Sequence, residues 1–451
     1  MFDWFLTPLP EVNPMPPMPP MPRRVAGALP ALPALPWVGA GIGLLRNPTA
    51  FFQRTRARLG DTFVVDVFGY RLFCVFSPRG VQQLYAFAED QASFGLATFE
   101  LVLKRKLPLE LLVGRRTFPH TLFGKQETED YLGCLEEAVG AQIEELGAHG
   151  RCEIFATMRR LGNRLGLSCW AGREAATPPT LDRLIPLFDR LDSGDSFVRP
   201  AQAFVTFATR KARERRAMHG IEEIFTEILQ ARQRTGIRLG DYLERIADGF
   251  ADLPAGQREI NAARDIMVLH MGAQSNLYAA LAWTLVNLLL HPQYLERVRD
   301  GDDTLLEQCA NESIRMAQRS ITLRRVLSPL TIEIESGRYA LAPGVMLTTM
   351  LPVNNNSAAR GLDRFDPRHY EGRRLAKDVP LPARELVSTF GHGIHSCPAQ
   401  RFSISAIRIA LRRLIDRYDL QPHFSAAVPR PRQVGGVARA AHPCLMTYAR
   451  R

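Results

Sequence analysis

The chain has 451 residues, 46% of them hydrophobic, and a formal net charge of +11. That is ample for a large core and exceeds one ordinary domain length. The seven cysteines form no CxxC pair and no zinc spacing, which excludes a disulfide framework and points to a reducing, cytoplasmic setting. No stretch reaches the roughly 18 uncharged apolar residues that span a bilayer. The Lys and Arg residues are dispersed, so the basic excess argues for no nucleic-acid partner; an acidic protein partner or plain solvation suits it.

Met1–Leu6 is apolar but too short for a signal core, and it carries Asp3. Proline-rich sequence from Pro8 to Pro36 reads as an extended, semi-rigid leader over residues 1–36. A disordered tail, or contact with a membrane surface through Phe2, Trp4 and Phe5, are its alternatives. Residues 37–451 read as one domain. Gly39-Ala-Gly-Ile-Gly43 looks like a nucleotide loop, but Pro33 and Pro36 stand where a strand should precede it, so it is discounted.

Asn47–Leu59 has helical spacing, and Thr62–Phe68 and Arg71–Phe76 read as a hairpin turning at Gly69-Tyr70. From about Gly80 to Gln318 the pattern is helical, with Tyr131–Leu146, Cys152–Trp170, Lys211–Arg234 and Asp265–Leu290 as the main segments. His291-Pro292 stops the last of these. Strand patterns return at Ile321–Leu327, Thr331–Glu335 and Tyr339–Leu341. A helix over Arg401–Tyr418 and a β-like tail from Val434 to Tyr448 follow. The fold class is mainly α with a small β region. Sheet segments at both ends of a helical middle must pair with each other, which argues against splitting the chain.

The chemistry concentrates in Phe390-Gly-His-Gly-Ile-His-Ser-Cys-Pro-Ala-Gln400. Glycines let such a loop approach a ligand closely, and a cysteine just before a helix is well placed to be a thiolate ligand. Taken alone, Cys397 reads first as a small buried core residue. Glu312 and Arg315 share one helix face and can pair. Phe365-Asp-Pro-Arg-His-Tyr370 lies between these two motifs.

In this order the three motifs resemble those of the cytochrome P450 superfamily, the haem–thiolate oxygenases. The likeness covers nearly the whole chain, including Leu32-Pro-Ala-Leu-Pro36, Asn47-Pro48 and Gly60-Asp61. The long-helix motif is similar to that of the cholesterol 7α-hydroxylase and prostacyclin synthase group. The segment from Asp192-Ser-Gly-Asp195 through Ile224–Arg234 is similar to sterol 14-demethylases. The resemblance implies the cytochrome P450 fold and haem b (iron protoporphyrin IX) as cofactor. It makes Cys397 the ligand to the iron, with Phe390 and Gly391 in the haem loop. It makes Glu312 and Arg315 a buried clamp completed by His369 or Arg368. His395, Arg324 and Arg116 become partners for the haem propionates; Leu112 stands where a Trp or His often precedes the last of these, leaving Arg115 as its competitor. Ala399 replaces a customary glycine, at little cost unless its φ is positive.

Over the distal face the resemblance sets Ala273, Gln274, Ser275 and Asn276, with Ser275 at the acid position and Asn276 at the threonine position. An amide can hydrogen-bond dioxygen or orient water but does not titrate at neutral pH. Packing of the helix is its other reading. The expected activity is monooxygenation of an apolar sterol-, lipid- or polyketide-like small molecule by a monomer. Pocket residues are expected from Phe94–Leu112, Phe197–Phe207, the long helix and Val434–Ala438. Electrons would come from a separate ferredoxin- or flavodoxin-type donor docked near Arg401, Arg408 and Arg412. Rearrangement of a peroxide without O₂ or reductant, and a non-catalytic haem-binding module, are the alternatives.

Overall fold

A computed structural model describes residues 18–24, 39–117, 125–192, 205–206, 208–371 and 373–451. The leader's Phe2, Trp4, Phe5, Pro33 and Pro36, residues Ser193–Asp195 and nearly all of Phe197–Phe207 lie outside these residues. So does most of Thr117–Phe123.

Two segments far apart in the chain build the larger sheet. Its order is Thr62–Val67, Tyr70–Val75, Met346–Met350, Ile321–Val326 and Ala92–Ser93. Tyr70–Val75 runs parallel to Met346–Met350, pairing Phe73 with Leu347. The first hairpin turns one residue earlier than its pattern suggests: Phe68 and Gly69 both take positive φ, 48° and 82°. Two left-handed residues in succession match the right-handed twist of the flanking strands. Met346–Met350 is fully buried and therefore lacks the alternation that marks a half-exposed strand.

Arg23–Arg24 pairs with Tyr339 and Ala340, extending the small sheet of Leu330–Ile334 and Gly337–Leu341. A third sheet joins Tyr418–Pro422, Leu445–Arg450 and His149–Glu153. It corrects two expectations. Cys152 lies in a strand, and helix begins only at Ile154. The C-terminal strand covers only Leu445–Arg450; Val434–Val437 is a turn region instead.

The long helix, Gln257–Leu290, has 34 residues and begins a full two turns before its apolar pattern does. Its polar first turns are helical because Glu259 accepts the Gly256 N–H, satisfying an otherwise orphaned donor. It crosses Ile154–Trp170 closely, since a Cβ on Gly162 would lie 2.8 Å from the Cβ of Tyr278. Among the described residues no helix is long and apolar enough to cross a membrane.

His270 is buried at this crossing. Its Nδ1 accepts from Trp170 Nε1 at 3.3 Å, its Nε2 lies 2.9 Å from Asn163 Oδ1, and the Phe188 ring is 4.4 Å away. Accepting at Nδ1 requires the neutral ring, protonated at Nε2. Burial lowers its pKa to about 3.

Two outcomes follow. Gly162→Ala should cost about 1–3 kcal/mol by forcing the two helices apart, read as a shift in the urea midpoint. Acid should also destabilise the fold through His270. The unfolded ring binds a proton below its ordinary pKa and the folded ring does not. Stability should therefore fall as pH drops from 6.5 toward 3, by up to about 1.4 kcal/mol per pH unit. Urea titrations across that range check it, and His270→Gln should flatten the slope.

Candidate active site

The cysteine loop is held in shape by its own backbone. Gly391 has φ +80°, and a Cβ there would sit 2.2 Å from the His395 carbonyl oxygen, so no side chain fits. The Gly391 N–H donates to Ser388 Oγ at 3.1 Å, and the Cys397 N–H donates to the Phe390 carbonyl at 2.6 Å. The helix Gln400–Arg417 starts three residues later. Ala399 has φ −85°, so its methyl carries no backbone strain. Burial pushes the Cys397 thiol up, opposed by the Ala399 N–H.

Cys397 lines a cavity of about 650 Å³, within the range of sites for small molecules. The long helix forms another wall, to which Leu269, Gly272, Ala273, Ser275 and Asn276 contribute. Gln274 is buried but does not line the space. Thr98, Val102, Leu111 and Leu112 come from the Phe94–Leu112 segment, and Val434–Val437 completes the wall. Asn276 Oδ1 accepts the Val437 N–H at 2.9 Å.

Behind the loop lies a wholly buried ion pair. Arg315 donates through Nε and Nη2 to both oxygens of Glu312, at 2.7 and 2.6 Å. Its Nη1 donates to the carbonyls of Asn355 and Leu362. His369 Nδ1 lies 2.9 Å from Glu312, whereas Arg368 is exposed and pairs with Asp366. Asn355 connects this cluster to the loop: its amide donates to the carbonyls of Arg315 and Ser388 and accepts the Ser388 N–H at 2.8 Å. Sequence reasoning missed Asn355; only the run Asn354-Asn355-Asn356 marked the spot.

The chain is 22% identical to mouse 24-hydroxycholesterol 7-alpha-hydroxylase over 446 residues, covering 92% of this chain and 91% of that protein. It is 22% identical to cytochrome P450 monooxygenase pyvB of Aspergillus violaceofuscus, over 85% of this chain and 81% of that one. It is 20% identical to the sterol 14-demethylase of Arabidopsis thaliana, over 85% and 84% respectively. No protein-family model matches the chain. These likenesses run over most of the chain and are all to cytochrome P450 proteins. The chain's fold is the P450 fold, its activity that of a P450 monooxygenase, and its cofactor haem b.

The cavity fits this cofactor. Among the described residues no group of three His, Cys, Asp or Glu side chains could assemble around a metal. A single thiol in a mostly apolar space suits a metal whose other ligands arrive with it, as haem iron's do. Three residues that line the cavity, His395, Thr117 and Tyr278, each bury a side-chain polar atom (Nε2, Oγ1 and the hydroxyl) without a hydrogen-bond partner among the described residues. Such groups are costly unless a ligand satisfies them, and carboxylate arms would do so. His395 Nε2 stands 3.5 Å from the Glu89 carboxylate, and burial lowers its pKa.

The other cations sort differently from expectation. Arg116 is exposed, pairs with Asp252, lies over the Phe250 ring and does not line the cavity. Arg115 lines it instead, its side chain nearly buried against Asp265 at 2.5 Å. Arg324 is wholly buried and spent on the carbonyls of Leu84, Ala88 and Ala92; it too is absent from the cavity wall. On the helix behind Cys397, Arg408 is already paired with Asp303 and Glu307 and Arg412 with Asp303 and Asp416, while Arg401 is exposed with no ion pair among the described residues.

Glu312→Ala would strand the Arg315 guanidinium in a site closed to bulk solvent. A loss of about 3–5 kcal/mol is expected, seen in denaturant unfolding, together with reduced haem retention because Asn355 loses its anchor.

Proposed function

We propose that this P450 holds haem through the Cys397 thiolate, and that it inserts one oxygen atom from O₂ into an apolar, sterol- or lipid-like substrate. The observation that carries this is that Cys397 and the long helix line the same large, mostly apolar cavity. The names of two relatives support the substrate class: 24-hydroxycholesterol 7-alpha-hydroxylase and sterol 14-demethylase are named as sterol enzymes. A polyketide-like substrate rests on cavity size and apolarity alone.

The bound cofactor supplies an iron at which dioxygen is reduced, and a thiolate ligand donates electron density that favours O–O cleavage. The protein's part is to position and to shield. His395, Arg115 and Thr117 are the residues suited to the two propionates. Val102, Leu111, Leu112 and Leu269 desolvate the substrate. Asn276 and Ser275 can donate hydrogen bonds, but neither titrates near neutral pH. Asp265 is locked to Arg115. Proton delivery would therefore fall to water, the substrate or another group. Electrons come from a separate ferredoxin- or flavodoxin-type protein, for which Arg401 on the cysteine side offers a steering charge.

Two measurements test this. The reduced, CO-bound protein should show the red-shifted Soret band of thiolate ligation, and Cys397→Ser should abolish it; a wild-type band like that of histidine-ligated haem would sink the assignment. With a surrogate donor, ¹⁸O₂ should label the product. Turnover of an organic hydroperoxide without reductant or label would instead establish a rearranging enzyme.

A further inference from the structure

Asn276 is more constrained than its place on the helix suggests. Its Oδ1 accepts the Val437 N–H at 2.9 Å, which fixes which end of the amide is oxygen. The neighbouring Gly436 has φ +61°, and a Cβ on it would stand 2.3 Å from that same Oδ1. The turn cannot slide away, because it is tied on its other side. Gly436 N–H donates to Ser320 Oγ at 2.9 Å, Arg319 N–H to the Gly436 carbonyl at 2.8 Å, and Gly435 N–H to the Arg319 carbonyl at 2.9 Å. Asn276, Ser320, Gly435, Gly436 and Val437 all line the cavity. The amide nitrogen has no hydrogen-bond partner among the described residues.

We propose that Asn276 is a hydrogen-bond donor of fixed orientation, locked by the Gly435–Val437 turn, which selects substrates bearing a neutral acceptor oxygen such as a ketone. This rests on the haem–thiolate reading and names the substrate feature its cavity prefers. With its carbonyl turned to the Val437 N–H, the amide presents its N–H donors to a ligand. It therefore rewards an acceptor atom and gives nothing to a hydrocarbon. Gly436 is the positioning residue: absence of a side chain there lets the amide stay turned.

The test uses the haem-loaded full chain and spin-state titration with androstane and the androstanones that carry a single ketone at either end. Wild type should bind at least one ketone about fivefold more tightly than the hydrocarbon, the size of one neutral hydrogen bond. Asn276→Asp, assayed at mildly alkaline pH, keeps an oxygen for Val437 but replaces the donor with an ionised acceptor; it should abolish or invert that preference. Gly436→Ala should abolish it by displacing the amide, while the thiolate CO band persists. The same preference in both variants overturns the proposal, as does a wild type that fails to distinguish the probes or binds none. A wild type lacking the thiolate band removes the underlying reading as well, a result separable from loss of preference alone.

Discussion

The structure hangs on a charge pair that water never reaches. Glu312 and Arg315 are both wholly buried, and a pair so placed survives only if every remaining donor and acceptor is used. Here they are. The guanidinium spends its third corner on the carbonyls of Asn355 and Leu362, and the carboxylate also receives His369 and the Asp366 N–H. Through Asn355 the pair reaches Ser388, through Ser388 it reaches Gly391, and Gly391 opens the loop that ends in Cys397. Rigidity passes from an ion pair to the proposed metal ligand by hydrogen bonds alone. A ligand on a loop needs such backing, because a loop lacks the ladder that stiffens a strand or helix.

Burial sorts the arginines by function. Arg324 sits deepest, and three carbonyls consume it. Arg116 is outermost, where solvent screens its pair with Asp252. Arg115 lies between, buried enough to be strong and close enough to the cavity to matter. His395 and Thr117 differ again, since each keeps a buried polar atom unused. An unused buried donor or acceptor is a standing cost, and in a cavity wall a ligand can offset it.

Much of this was legible in the chain. The helices Pro48–Leu59, Ala212–Thr235 and Gln400–Arg417 match their apolar spacing to within a residue or two, because an amphipathic pattern is a local property. Met346–Met350 escaped because both its faces are buried. Gln257–Arg264 escaped because its helicity rests on a cap rather than on an apolar face. Asn355 escaped because an asparagine in a polar run looks like any loop residue until its partners are known.

From sequence alone came the haem-loop motif, the Glu312–Arg315 spacing, the mainly helical class with sheet segments at both ends, and the amide in place of a hydroxyl at Asn276. Each depends on residues within a few positions of one another. Tertiary structure alone decided which arginine of the Arg115-Arg116 pair meets the cavity, where Arg324 spends its charge, that His369 rather than Arg368 joins the clamp, and which way the Asn276 amide is turned. Those outcomes depend on contacts between segments tens to hundreds of residues apart. Side-chain direction and burial arise only when such segments pack.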